Sequence, residues 1–170
     1  MKDPAGGGRR SVARPKPRPQ VGALPYRLSP GLEILLVTSR ETGRWVIPKG
    51  WPMKSKSRRE AAAVEALEEA GVEGRATRKP LGDFEYVKIL ASGDAQPCRV
   101  SVFALEVTRQ RETWREKGQR TTEWFPWERA FDAVSEPGLK RLIRKFAKAV
   151  LGRASPDPDA VDDQDPKAPE

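Results

Sequence analysis

Two neighbouring stretches of the chain decide its fold: WVIPKGWPM at residues 45–53 and EAAAVEALEEAGV at residues 60–72. The first is typical of a strand that ends in a glycine loop, and the second of a helix over residues 58–70 that ends at Gly71. Ala63 and Leu67 are expected to face a core. On another side, three glutamates at i, i+3 and i+4 place their carboxylates within about 100° of one another. These glutamates are Glu65, Glu68 and Glu69.

This acidic cluster has two interpretations, a solvated helix face or a metal site. Glutamates at i and i+4 repel by a few tenths of a kcal/mol, and no basic residue follows either of them at i+4. The charges also lie near the C-terminal end of the helix, where the macrodipole disfavours anions. A compensating cation is therefore expected. Carboxylates without histidine or cysteine are hard ligands, which favours Mg²⁺, with Mn²⁺ as a substitute.

Composition excludes several kinds of chemistry. The 170 residues include no histidine and one cysteine, Cys98. The chain therefore has no imidazole general base, no Ser-His or Cys-His nucleophile, no histidine-rich zinc site and no internal disulfide. A single cysteine fits a reducing compartment, and we expect a cytoplasmic protein. No apolar run approaches the roughly 20 residues that span a bilayer, so no membrane association is expected.

The two ends of the chain differ from its middle. Residues 1–20 carry a net charge of +5, residues 153–170 carry −4, and eight of the sixteen prolines fall in these segments. We expect a disordered basic tail, a folded domain over residues 21–152 and a disordered acidic tail. The domain keeps a charge of +7, which suits a polyphosphate or nucleic acid, with solubility as the alternative. For the basic tail, a solvated linker is favoured over nucleic-acid contact.

The remaining pattern predicts an α/β domain in which helices cover a mixed β-sheet. A short apolar run and its hairpin partner are separated by a turn containing Gly43, and a second hairpin turns at Gly93. Apolar residues at i, i+3, i+4, i+7 and i+8 predict a packing helix near the end of the domain. The predicted strands are 32–37, 44–48, 84–90 and 99–107, and this last helix is 139–151.

The glutamate helix and the loop before it resemble the Nudix hydrolase box. That box is glycine, five residues, glutamate, seven residues, Arg-Glu, a bulky aliphatic, any residue, Glu-Glu, any residue, glycine and a bulky aliphatic. WVIPKG resembles the segment before the box in the diphosphoinositol-polyphosphate and diadenosine-polyphosphate hydrolase branch, and residues 114–116 and 123–125 resemble that branch's loop and final strand. The similarity covers residues 21–150, and the box positions that match are Gly50, Glu65, Glu68, Glu69, Gly71 and Val72.

Three positions depart from the box: Lys56 replaces its first glutamate, Val64 its arginine, and Ala66 its aliphatic residue. In the family, the arginine helps to orient the acidic cluster, which valine cannot do by charge. One interpretation is a loop adapted to a more heavily phosphorylated substrate. The other is a catalytically weakened Nudix-fold module that binds a phosphorylated ligand or RNA.

The resemblance implies a Nudix-like α/β/α sandwich and magnesium-dependent hydrolysis of a phosphoanhydride bond in a small polyphosphorylated metabolite. By similarity, Glu65, Glu68, Glu69 and the Gly50 carbonyl would hold the metal. The general base would be Glu69 or Glu116, since a loop carboxylate can move toward the attacking water. The oligomeric state stays open. The basic residues near the box are interpreted as phosphate contacts, with ordinary surface charge as the alternative for each; they are Arg40, Arg44, Lys49, Lys54 and Lys56.

The five tryptophans are expected in two environments, loops near the acidic cluster and the core. Trp51 and Trp114 lie in predicted loops near the acidic cluster and are the candidates for stacking on a substrate ring. Trp45, Trp124 and Trp127 are expected to pack in the core.

Overall fold

A computed structural model of the protein describes residues 14–154. Over that range the chain forms eight strands and three helices. The strands are β1 (Arg18–Arg27), β2 (Glu33–Thr38), β3 (Trp45–Val46), β4 (Lys49–Gly50), β5 (Val72–Ala76), β6 (Gly82–Ile89), β7 (Ala95–Gln110) and β8 (Thr122–Pro126). The helices are α1 (Arg58–Ala70), α2 (Trp127–Ala133) and α3 (Pro137–Ala154).

The strands form one mixed sheet with the order β3-β2-β1-β7-β5. Its centre is the parallel pair β1 and β7, in register from Arg18 opposite Cys98 to Tyr26 opposite Glu106. The other pairings are antiparallel, with β4 on β1, β6 on β7 and β8 on β2. Strand β4 is short and pairs with the middle of β1. After β4 the chain leaves the sheet and crosses to the start of α1.

Alternation along the central strands gives the sheet two apolar faces. On β2, Leu35 and Val37 pack with α1, while Ile34 and Leu36 pack with α2 and α3. The result is an α/β/α sandwich, as the sequence predicts. Helix α1 approaches the sheet through small buried residues, which are Ala61, Ala62, Ala66 and Ala70. This corrects the expectation that Ala63 and Leu67 form its packing face, since both are only partly buried.

Helix α1 has the bounds that the sequence predicts. Ser57 and Glu60 form a capping box at its start, and Gly71 ends it in the left-handed conformation with φ +68°. Both predicted hairpins are present, with Gly43 and Gly93 at positive φ in their turns. Good caps at both ends fix the length of α1 and so the position of its glutamates.

The predicted domain boundaries need adjustment. Strand β1 begins at Arg18, so residues 18–20 belong to the sheet and not to a disordered tail. At the other end, α3 continues to Ala154, beyond the predicted limit at residue 152. The rest of the two predicted tails, residues 1–13 and 155–170, lies outside the described residues. No helix within residues 14–154 has the length and apolar character to cross a membrane.

Candidate active site

The second half of α1 and the loop between β7 and β8 form part of the wall of an open cavity of about 430 Å³. The cavity holds both signs of charge. Its cations are Arg40, Lys49, Lys88, Arg115 and Arg120. Its four carboxylates are the predicted metal and base residues, Glu65, Glu68, Glu69 and Glu116. The structure therefore brings together in one place acids that are separated by about fifty positions in the sequence.

The backbone of Gly50 and the carboxylate of Glu65 lie against each other. A Cβ built on Gly50 would overlap the carboxylate of Glu65, so only glycine lets this side chain lie against the β4 backbone. Burial, followed by the negative charge of Glu68, raises the pKa of Glu65. No described residue donates a hydrogen bond to its carboxylate or pairs with it. Glu65 is thus the carboxylate of the cavity that is open to a new cation.

Glu69 is the most deeply buried of these acids, with 8% of its side chain exposed. One carboxylate oxygen accepts the Lys49 backbone N–H at 3.3 Å, and the other accepts from Arg120 at 3.1 Å. Burial raises the pKa of Glu69 to about 7, although the charges of Arg120 and Lys49 lower it. A carboxyl with this pKa exchanges its proton near neutral pH, which suits a general base or acid.

Glu116 lies in the same cavity but is tied down. Arg40 and Arg120 each contact one of its carboxylate oxygens at 3.2 Å, and its own backbone N–H donates to the Glu68 carbonyl at 3.0 Å. The loop that carries Glu116 is therefore attached to the C-terminal turn of α1. In this conformation these contacts hold Glu116, and a movement of its carboxylate toward an attacking water would have to open the two ion pairs.

The remaining glutamate, Glu68, pairs with Arg115 at 3.0 Å. This pair is much more exposed, with 74% of the Arg115 side chain accessible. Water and salt weaken such a contact, so it is easily opened. Neither Arg115 nor Arg120 was among the site residues predicted from the sequence. The available signal was that they lie on either side of Glu116, which was predicted.

The predicted phosphate contacts separate into three groups. Arg40 and Lys49 line the main cavity. Arg44 lines a smaller cavity of about 100 Å³, which shares Lys49 and Lys88 with the first. Lys54 and Lys56 are exposed on the loop before α1, outside both sets of lining residues.

Lys49 therefore stands where the two cavities meet. Its ammonium lies 4.8 Å from the centroid of the Tyr86 ring, and burial lowers the pKa of this group. Lys88 on β6, also missed in the sequence, lines both cavities beside it.

Of the two tryptophans expected near a substrate, the structure brings only Trp51 into the main cavity. The Arg18 guanidinium lies 4.3 Å from its ring centroid. Trp114 packs against Gly71 at the end of α1, and its buried Nε1 has no hydrogen-bond partner. Trp45, Trp124 and Trp127 pack against the apolar clusters on the two faces of the sheet, as expected.

The donor groups fit a hard divalent cation in kind: three carboxylates, a backbone carbonyl at a glycine, and no thiolate or imidazole. The Glu65 carboxylate occupies the space that a Cβ on Gly50 would fill, so it lies against the residue that carries that carbonyl. In the conformation described for residues 14–154, however, no three acidic side chains are gathered closely enough for one ion. Glu68 and Glu69 face arginines instead, so holding an ion requires these two carboxylates to rearrange.

Comparison with known proteins gives a consistent result. The NUDIX domain family model matches residues 16–146. Nudix hydrolase 12, mitochondrial, of Arabidopsis thaliana is 30% identical over 146 residues, which is 76% of this chain and 72% of the relative. Diphosphoinositol polyphosphate phosphohydrolase 3-beta of Bos taurus is 35% identical over 105 residues, 60% of each chain. The crystal structure of a C. elegans Ap4A hydrolase binary complex is 21% identical with a TM-score of 0.59, covering 79% of this chain and 98% of that one.

Proposed function

The chain belongs to the Nudix hydrolase family as a pyrophosphohydrolase, and from this premise we propose that it hydrolyses a phosphoanhydride bond of a polyphosphorylated metabolite with magnesium. The substrates that we propose are a diadenosine polyphosphate or a diphosphoinositol polyphosphate. The relatives named for such compounds support this choice. The single observation that carries the proposal is that four carboxylates and five cations line one cavity.

The two signs of charge have different tasks in the proposed reaction. A polyphosphate is strongly anionic and needs cations to hold it, and Lys49, Lys88 and Arg40 offer them at the cavity wall. The smaller cavity, which shares Lys49 and Lys88, also contains Tyr86 and Ile89. That mixture of charged and apolar groups suits the organic part of the substrate, with its phosphates directed past Lys49 toward the glutamates.

The proposed metal ligands are Glu65, Glu68, Glu69 and the Gly50 carbonyl. When bound there, Mg²⁺ would neutralise phosphoryl oxygens and acidify the attacking water. Glu65 is available without losing an existing partner, and Glu68 gives up only an exposed pair. Glu69 and Glu116 are the candidates to accept the proton of the water, since both lie in the cavity and are held by Arg120.

A substrate panel tests this proposal. Diadenosine polyphosphates, diphosphoinositol polyphosphates and nucleoside triphosphates are incubated with the protein, with Mg²⁺ or with a chelator, and product release is measured. We expect turnover that needs Mg²⁺ and that falls by at least about 100-fold in Glu68→Gln and Glu69→Gln. Glu85→Gln is the matched control, because Glu85 is exposed and pairs only with Arg99 on the surface. Turnover without metal, or equal turnover in all three variants, would contradict the mechanism.

A weaker candidate is a module that binds a phosphorylated ligand and turns it over slowly. The observation that favours it is that arginines already pair with Glu68 and Glu69. Ligand binding in the panel without Mg²⁺-dependent product release would select this alternative.

A further inference from the structure

After its first two residues, Arg58 and Arg59, helix α1 carries acids without a basic residue beside them. From residue 60 to residue 72 the sequence contains four glutamates and no lysine or arginine. Glu69, one of these four glutamates, is almost fully buried. An ionised carboxylate in such a place requires a fixed cation or several hydrogen bonds. That cation has to come from another part of the chain.

Arg120 provides it, and each of its three guanidinium nitrogens has a different partner. Nη2 donates to Glu69 on α1 at 3.1 Å, Nε to Glu116 in the β7–β8 loop at 3.2 Å, and Nη1 to the Thr38 carbonyl at the end of β2 at 3.0 Å. The planar group is thus fixed from three separate elements. Only 10% of the side chain is exposed, so water competes little for these bonds.

The backbone beside Arg120 is also fixed. Thr38 donates its N–H to the Thr121 carbonyl at 3.0 Å, and the Thr121 N–H donates to the Thr38 hydroxyl at 2.9 Å. The backbone next to Arg120 is therefore anchored to the end of β2, in addition to the bonds that the guanidinium makes with the two carboxylates. The other two arginines of the cavity are much less enclosed, because 50% of the Arg40 side chain and 74% of the Arg115 side chain are exposed.

We propose that Arg120 is a positioning residue, which holds the Glu116 carboxylate at the cavity wall in the orientation that hydrolysis requires and balances the charge of the buried Glu69. It acts through these two carboxylates and not on the substrate. Lysine at position 120 could keep the charge, but its single ammonium cannot reach three partners in a fixed plane. The inference rests on the proposed function for its kinetic part only, because the contacts themselves can be tested without turnover.

The test uses Arg120→Ala, Arg120→Lys and the control Arg111→Ala in the full chain. Arg111 lies in the same loop and pairs with Glu73, but it does not line the cavity. We expect kcat to fall by about 100-fold in Arg120→Ala with KM changed less than about threefold, since misplacing catalytic groups by about 1 Å has this effect. Arg120→Lys should recover only a small part of kcat, and Arg111→Ala should retain it.

Chemical rescue gives a second measurement. Alanine at position 120 leaves a space that opens into the cavity and suits a free guanidinium. Methylguanidinium at millimolar concentration should therefore raise both the melting temperature and the kcat of Arg120→Ala, and methylammonium should not. If the alanine variant does not fold, Arg120→Lys replaces it. Its kcat should then be reduced while its KM stays close to that of the wild type.

Three results would overturn the inference. The first is a rise in KM with kcat unchanged, which would make Arg120 a substrate contact. The second is an equal loss in Arg111→Ala, and the third is the same melting temperature of Arg120→Ala with and without methylguanidinium. If the wild-type protein hydrolyses nothing in the panel, the proposed function fails while the melting-temperature experiment still decides whether a guanidinium is held at this place.

Discussion

The indole ring of Trp114 lies directly against Gly71, so that a Cβ on residue 71 would overlap the ring. Next to this contact, the Arg111 N–H donates to the Gly71 carbonyl at 2.8 Å and the Glu116 N–H donates to the Glu68 carbonyl at 3.0 Å. The loop between β7 and β8 is therefore attached to the last turn of α1. The position of Glu116 and Arg120 in the cavity depends on this attachment.

Gly71→Ala should destabilise the protein by about 2 to 4 kcal/mol. The left-handed conformation costs a non-glycine residue about 1 kcal/mol, and displacing the indole adds the cost of disturbed packing. Gly43→Ala is the matched control, because Gly43 has φ +66° with no atom near its Cβ position, and it should lose only about 1 kcal/mol. Denaturant unfolding measures both. Equal losses would show that the contact with Trp114 has no energetic role.

The stability of the metal-free protein should depend on pH through Glu69. Its pKa is about 7 in the folded state against 4.5 in an unperturbed chain, so the folded state binds this proton more tightly. The resulting stabilisation is complete below about pH 4.5 and is lost as the pH rises through about 7. We expect a contribution of about 2 to 3 kcal/mol to disappear between pH 5 and pH 8.

The corresponding measurement is the free energy of unfolding from pH 5 to pH 8 in the presence of a chelator. Glu69→Gln should flatten the profile, whereas the exposed control Glu85→Gln should leave it unchanged. A Glu69→Gln profile as steep as that of the wild type would show that another group titrates.

Lys49 and Lys54 should differ in their effect on substrate binding. Lys49 lies where the two cavities meet, while Lys54 is exposed outside them. Lys49→Met should raise KM by about tenfold or more, because a charged contact to phosphate in a partly buried site contributes about 1.5 to 3 kcal/mol. Lys54→Met should change KM less than twofold. Steady-state kinetics with one substrate from the panel distinguish them, and equal effects would place the phosphates elsewhere.

Restoring the two charged residues of the box, at positions 56 and 64, should give little gain. Val64 stands four residues before Glu68 on α1, so an arginine there would reach Glu68 and not Glu69. Arg120 already contacts Glu69 and Glu116. We therefore expect Lys56→Glu with Val64→Arg to raise kcat by less than about threefold. A large gain would identify a decayed enzyme, and a clear loss would show that Lys56 or Val64 is adapted to the substrate.

The local part of the site could be predicted from the sequence. The spacing of the three glutamates, the capping residues and Gly71 determine α1 by short-range rules, and the structure has the same helix bounds. The β2–β3 and β6–β7 hairpins were predictable for the same reason, since glycine turns lie between alternating strands.

Strand β1 could not be predicted in this way, because Pro19, Gly22 and Pro25 all disfavour a strand. The structure accommodates the prolines because β4 pairs with residues 21 and 22 and β2 with residues 26 and 27. Pro19 and Pro25 fall outside these short pairings, where a missing N–H does no harm. Pairing with β7 along the other edge then makes this stretch a strand.

The roles of Arg115 and Arg120 were also beyond the sequence. Both belong to a loop whose path depends on the packing of Trp114 and on the hydrogen bonds to α1 and β2. The acidic helix indicated that a cation was required, but a metal ion and an arginine satisfy that requirement equally well in a sequence pattern. Only the folded chain shows which arginines reach the glutamates.

The parallel pairing of β1 with β7 has a consequence for biosynthesis. Each of its nine residue pairs joins positions eighty residues apart, so the middle of the sheet stays incomplete until the ribosome has released most of the domain. Contacts of such long sequence separation slow folding and leave hydrophobic strands exposed in the meantime. Nascent chains that end before residue 95 lack β7 altogether, and they should be sensitive to protease and bind chaperones until that strand emerges.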